Sequence, residues 1–194
     1  MAEVTIARSE LILGGQKSGK SRRAEMLART WLDASTLHRA VLIATAQPWD
    51  QEMRQRIARH QTDRAARVPG MTTVEEPLAL AEAIAQHSQP HTLVVVDCLT
   101  LWLTNCLMPA DDESNRPVAP ADTAQEATLL IAITQAPGPV VLVGNEIGLG
   151  VIPMGAEVRA FVDALGRLNQ DVAATCRRVT LMAAGLPLTL KDTP

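Results

Sequence analysis

Tyrosine is absent from this 194-residue sequence and phenylalanine occurs once; with three tryptophans the aromatic share is 2%. Single-strand nucleic-acid binders need aromatic platforms for base stacking, so this scarcity argues against that class. An excess of positive charge is missing too. Eighteen Lys and Arg face 21 Asp and Glu, and a net charge of −3 gives no electrostatic footprint for a phosphodiester backbone. Cys98, Cys106 and Cys176 are odd in number and lack C-x-x-C spacing. Neither a disulfide framework nor a zinc site is indicated, and the thiols read as buried or incidental. No run of 18 apolar residues occurs, and Met1–Glu10 has no apolar leader core. The expectation is therefore a cytoplasmic protein with no membrane span. No repeat with a period of 20–50 residues is visible either.

What is present is aliphatic. Hydrophobic residues make up 47% of the chain, enough for one substantial core packed by Leu, Val, Ile, Ala and Met, and residues 1–194 read as one domain. Strand-length apolar runs fall at Leu11–Leu13, Ala40–Thr45, Leu93–Cys98, Val140–Gly144 and Val179–Ala183, with a weaker one at Met71–Glu75. Their Val, Ile and Leu density suggests burial on both faces, as in a parallel sheet. Helical patterns lie between them at Lys20–Leu32, Asp50–Arg64, Pro77–Gln86, Asp122–Gln135 and Ala156–Thr175. Asp50 stands ahead of the second, and Pro77 takes a first-turn position in the third. The alternation predicts an α/β fold, a mostly parallel sheet with helices on both faces. Prolines and acidic residues across 109–121 read as a mobile surface loop.

The most informative run is Gly14-Gly15-Gln16-Lys17-Ser18-Gly19-Lys20-Ser21, entered from Leu11-Ile12-Leu13. It fits G-x-x-x-x-G-K-[ST], the phosphate-binding loop of P-loop NTPases. The glycines permit a tight turn and close approach to a polyphosphate, and successive N–H groups form an anion nest at a helix N-terminus. Lys20 reaches the outer phosphates in this reading, and Ser21 offers its hydroxyl to Mg²⁺. The four fixed positions arise by chance in roughly one chain of this size in a hundred.

Two further residues fit such a site. Asp97 ends the apolar run Val94-Val95-Val96, where P-loop proteins place a carboxylate for Mg²⁺. An acidic residue at a strand end is also common without function, and the upstream loop is what favours the metal role. His60 stands seven residues after Met53 and three after Ile57, on one helical face that turns toward the protein body. A lone histidine there is more often a core residue; its functional reading is a nucleophile or acid/base near the phosphates. His38, His87 and His91 read as surface residues. There is no N-K-x-D guanine motif, and Asp163-Ala164-Leu165-Gly166 matches D-x-x-G only inside a helical pattern.

These pieces assemble into a resemblance. The loop Gly14–Arg22, Ile43-Ala44-Thr45-Ala46-Gln47, and Asp50-x-Glu52-Met53 with Arg56-Ile57 and His60 are three of its blocks. Thr73–Leu78, Val96–Asn105, Asn145-Glu146-Ile147-Gly148-Leu149-Gly150-Val151-Ile152-Pro153 and Gly166-Arg167-Leu168-Asn169-Gln170 complete it. Together they are similar to the bifunctional adenosylcobinamide kinase/adenosylcobinamide-phosphate guanylyltransferase family, in order from Leu11 to Lys191. The resemblance implies phosphorylation of adenosylcobinamide by ATP or GTP. Transfer of GMP from GTP to adenosylcobinamide phosphate follows, giving adenosylcobinamide-GDP and pyrophosphate. It implies that His60 carries GMP covalently and that Lys20 assists. Nucleotide contacts carry over to Gly14, Gly15, Gln16, Lys17, Ser18, Gly19, Lys20 and Ser21, to Ala44, Thr45 and Ala46, to Gln61, Thr62, Asp63 and Arg64, and to Glu75 and Asp97. A homo-oligomer is expected on the same ground.

The sequence departs from the family pattern in three places. The segment 61–72 is longer and lacks the usual tryptophan, Cys176-Arg177 replaces Ala-Asp, and Val162 replaces an arginine. The first nine residues lie outside the match. Two rival readings remain at this point: a small-molecule kinase in which His60 is structural, and a nucleotide-binding module without turnover.

Overall fold

The structure, a computed structural model, describes residues 5–108, 123–151 and 153–193. The loop expected over 109–121 therefore lies outside the described residues. In chain order the elements are β1 (Ser9–Gly14), α1 (Lys20–Ala34), β2 (Arg39–Ala44), α2 (Gln51–Arg67), β3 (Met71–Glu75), α3 (Leu80–His87) and β4 (Thr92–Asp97). There follow α4 (Leu99–Leu107), α5 (Thr123–Gln135), β5 (Val140–Val143), α6 (Ala156–Thr175), β6 (Arg178–Ala183) and β7 (Leu186–Asp192). The seven strands form one sheet in the order β3-β2-β4-β5-β1-β6-β7. Every pairing is parallel except β6–β7.

The unbroken apolar strands are explained by cover on both sides. Alternation sends Leu11, Leu13, Val94, Val96 and Leu142 to one face, where α3, α4, α5 and α6 contribute Ile84, Trp102, Leu129 and Leu165. Ile12, Leu42, Val95, Val141 and Val143 point to the other, against Ala24, Leu27 and Ala28 of α1 and Val68 at the end of α2. Aliphatic side chains fill both layers, and the one tryptophan fully inside, Trp102, donates its indole N–H to the Leu78 carbonyl at 2.9 Å. A buried indole needs such a partner. Among the described residues no helix is long and apolar enough to cross a membrane.

Three elements differ from expectation. The third helix begins at Leu80, not Pro77. Glu76 accepts hydrogen bonds from the backbone N–H groups of Leu78 and Ala79 at 3.0 and 2.8 Å, which holds 77–79 as a turn ahead of the helix. Helix α4 was not expected at all. Its sequence LTLWLTNCL is apolar nearly all round and Cys98 gives no side-chain cap, so it reads as a continuation of the preceding strand. Strand β7 was also missed. The residues of its two-residue turn, Ala184 and Gly185, have φ of 52° and 80°, but Ala-Gly is not the Asn-Gly or Asp-Gly signal of such hairpins. Pro187 further disguises β7, and is tolerated because this is an edge strand. Helix α2 gains a C-terminal turn over the expected range, while Asp50 caps it as expected, accepting from the Met53 N–H at 2.6 Å. His38, expected on the surface, is half-buried and stacks on Trp31 with ring centroids 3.7 Å apart.

Candidate functional site

The central strand β1 delivers the chain to the phosphate loop. Gly14 has φ 151°, and a Cβ there would lie 2.5 Å from the Met182 carbonyl of β6. Gly19, in the left-handed region at φ 102°, precedes the first turn of α1. Only glycine meets both demands without strain. The loop closes through Ser18 N–H to the Gly15 carbonyl at 3.3 Å, and it is propped from outside by Gly185 N–H to the Ser18 carbonyl at 3.0 Å. Lys20 is buried at the start of α1 and donates to the Gly15 carbonyl at 2.6 Å. Burial pulls its pKa below the usual lysine value; Cys98 and Asp97 act against that shift, and the Arg56 guanidinium adds to it. The Ser18 hydroxyl is buried in the same cradle without a hydrogen-bond partner. An orphaned donor among loop N–H groups and a lysine is chemistry suited to phosphate oxygens.

Beside the loop, a cavity of about 100 Å³ opens between α2 and the C-terminal ends of β2, β3 and β4. Helix α2 turns Met53, Ile57, His60 and Arg64 inward, the i, i+4, i+7, i+11 stripe of an amphipathic helix. His60 thus faces a space that it shares with Ser21 of α1 and Asp97 of β4. Ala44, Ala46, Gln61, Arg64 and Glu75 line the same cavity. Arg64 is buried, and its guanidinium reaches the Thr73 hydroxyl at 3.3 Å.

Not every residue named from the sequence reaches this space. Thr45 is fully buried. Its hydroxyl donates to the Cys98 carbonyl at 2.7 Å and accepts from the Cys98 N–H at 2.8 Å, so its side chain holds the end of β4. Thr62 is exposed with its hydroxyl on the Ala58 carbonyl at 3.0 Å, and Asp63 pairs with Arg67 at 3.1 Å. Neither lines the cavity. Arg56 does, one turn before His60; the sequence placed it in the same block of the resemblance but not among the site residues. Cys98 and Leu101 also line it, brought there by the unexpected α4. Burial, with Asp97 adding, pushes the Cys98 thiol up to about 11.

Helix α4 fastens the strand ends around the cavity. Asn105 is buried and donates to the Thr45 carbonyl at 2.8 Å and the Pro77 carbonyl at 3.1 Å. Thr100 accepts from the Asn145 N–H at 3.0 Å, and Asn169 of α6 donates to the Asn145 carbonyl at 3.1 Å. Five blocks distant in sequence meet at the C-terminal ends of the parallel strands.

A glycine loop between a central parallel strand and a helix, with an acidic strand end beside it, defines a P-loop nucleotide-binding α/β protein. A solved structure of the same architecture is the flagellar accessory protein FlaH from Methanocaldococcus jannaschii. It superimposes with a TM-score of 0.53 over 99% of this chain and 82% of that one, at 11% sequence identity. The likeness is one of fold. The chain belongs to the cobinamide kinase / cobinamide phosphate guanyltransferase family, whose model matches residues 10–190. The bifunctional adenosylcobalamin biosynthesis protein CobP of Pseudomonas aeruginosa is 46% identical over 185 residues, covering 95% of this chain and 98% of the relative. The bifunctional adenosylcobalamin biosynthesis protein CobU of Escherichia coli is 35% identical over 187 residues, covering 93% and 98%.

Proposed function

We propose that the protein phosphorylates adenosylcobinamide with ATP or GTP and then transfers GMP from GTP to adenosylcobinamide phosphate through a guanylylated histidine. The observation that carries the reading is His60, turned inward by α2 onto a cavity that it shares with Ser21 and Asp97. A ring nitrogen of His60 attacks the α-phosphorus of GTP while the bond to the α–β bridging oxygen breaks, and pyrophosphate leaves with that electron pair. Lys20 and the loop N–H groups offset charge on the leaving group. In the second half-reaction a phosphate oxygen of the acceptor attacks the same phosphorus, the P–N bond breaks, and His60 returns to its neutral form. Glu75, on the wall of the cavity, is an acceptor suited to the adjacent N–H donors of guanine, which supports GTP recognition without N-K-x-D.

Mg²⁺ fits the residues present. Among the described residues no group of three or more His, Cys, Asp or Glu side chains could cage a metal. A hydroxyl and one carboxylate suit an ion that keeps its waters and binds phosphate oxygens. Ser21 and Asp97 would hold it, and it would supply charge neutralisation at the phosphates.

The test is intact mass after incubation with GTP and Mg²⁺. One GMP should be added, lost in acid and retained in mild alkali as a phosphoramidate is. His60→Ala should abolish the adduct and guanylyl transfer while sparing some kinase activity, because phosphoryl transfer to a hydroxyl needs no enzyme-bound intermediate. A guanylylated His60→Ala protein would sink the assignment. Phosphorylated acceptor without any adduct would instead identify a simple kinase, and nucleotide binding with neither product a non-catalytic module.

A further inference from the structure

The sequence blocks 145–153 and 166–170 are not accounted for by the nucleotide cavity. Glu146 of the first meets Gly166, Asn169 and Gln170 of the second at another cavity, of about 420 Å³, between α6 and the β6–β7 hairpin on the opposite face of the sheet. Leu13, the last side chain before the phosphate loop, lines it, and so do Glu146, Asn169 and Gln170. The cavity adjoins the loop directly: Glu146 N–H donates to the Gly14 carbonyl at 3.2 Å, and Gly144 N–H to the Ile12 carbonyl at 3.0 Å. Register places Val143 opposite both Ile12 and Asp97, so the turn carrying Glu146 emerges between the phosphate loop and the Asp97 strand end.

Its chemistry differs from that of the nucleotide site. Among the described residues the one ammonium on its wall, Lys191, is spent on the Ala173 and Ala174 carbonyls at 2.9 and 2.8 Å. What remains among those residues is a Glu146 carboxylate without an ion pair, two amides and an apolar floor, with the Asn169 Oδ1 buried and unpartnered. Such a wall repels a second phosphate and suits a neutral ligand that brings N–H and O–H donors. Gly166 leaves open space around its missing side chain here.

We propose that this cavity receives the hydroxyl-bearing arm of the phosphoryl acceptor and that Glu146 is the catalytic base of the kinase step. The inference rests on the functional reading above. Glu146 takes the proton of the acceptor hydroxyl as that oxygen bonds to the γ-phosphorus. The bond from the γ-phosphorus to the β–γ bridging oxygen breaks, and the electron pair leaves on the nucleoside diphosphate. The acceptor thus approaches from the α6 side while His60 works from the α2 side.

The experiment uses the full-length chain with adenosylcobinamide, ATP or GTP, and Mg²⁺, and measures kinase kcat and KM beside the rate of GMP adduct formation by intact mass. Glu146→Gln should lower kinase kcat by at least about thirtyfold, with acceptor KM changed less, and the ratio of kinase to adduct rate should fall at least about tenfold. Gly166→Leu, filling the open space, should raise acceptor KM by about tenfold or more while nucleotide affinity holds. If both variants keep wild-type kinase kcat/KM, or if Glu146→Gln lowers kinase and adduct rates equally, the proposal is overturned while the functional reading stands. A wild-type protein that forms neither product overturns that reading and this inference with it.

Discussion

Thr45 shows how a single side chain can brace the wall of the site through the backbone. Its hydroxyl satisfies both the N–H and the carbonyl of Cys98, next to Asp97, in a fully buried setting. Thr45→Val keeps the shape but leaves that N–H unpaired, at a cost of about 1–3 kcal/mol. For a chain of this size each kcal/mol lowers Tm by about 2–4 °C. Thr45→Ser should recover most of the loss, in Tm and in both reaction rates, because it keeps the hydroxyl. A valine variant with wild-type Tm would show the hydroxyl to be idle. Lys20 carries a cost of the opposite kind. Burial lowers its folded pKa below the unfolded value of 10.5, so the folded chain releases the proton first. Its charge therefore opposes folding at neutral pH, and that opposition fades as pH rises through the folded value toward 10.5. Lys20→Met should raise the Tm of the nucleotide-free protein at pH 7, with the gain shrinking toward pH 10, while both reactions are lost. Calorimetry across pH checks this, and a Tm gain that grows with pH would contradict it. Residue roles of the first kind were not legible in the sequence. The shape of the phosphate loop was, because it is set by local backbone with fixed spacing; the hydroxyl of Thr45, a residue the resemblance implies at a nucleotide contact, is held by Cys98, 53 residues on.

Among the elements, α2 gives the cavity beside the loop more of its wall than any other yet has few anchors. Of its residues only Arg64 is buried, and its C-terminal end is tied to α1 by Arg67 pairing with the buried Glu25. Arg67→Ala leaves that carboxylate without its ion pair, costing about 1–3 kcal/mol, and releases the helix that positions His60. GMP adduct formation should fall more than kinase turnover, measured on one preparation; an equal fall would make the pair a matter of stability alone. The inward face of α2 was readable from Met53, Ile57 and His60 because helical periodicity is local. Helix α4 and the β6–β7 hairpin were not. In α4 the polar residues Thr100 and Asn105 hold neighbouring backbone, so no solvent face breaks the apolar pattern. In the hairpin an Ala-Gly turn and Pro187 conceal a strand whose partner supplies the pairing.

At the scale of the whole molecule, the alternation of strand and helix foretold the parallel sheet but not which strands are neighbours, since pairing depends on contacts made across more than a hundred residues. The strand that leads into the phosphate loop is made first, yet it lies between β5 and β6. Ser9–Ile12 pair with Val140–Val143, and Glu10–Gly14 pair with Arg178–Met182. A chain emerging from the ribosome at about 5–20 residues per second holds its phosphate loop for the whole interval before those partners exist. Through that time β1 has neither neighbour in the sheet, and the Gly185 prop on Ser18 arrives later still. The setting of the phosphate loop is therefore completed only by chain made more than a hundred residues after the loop itself.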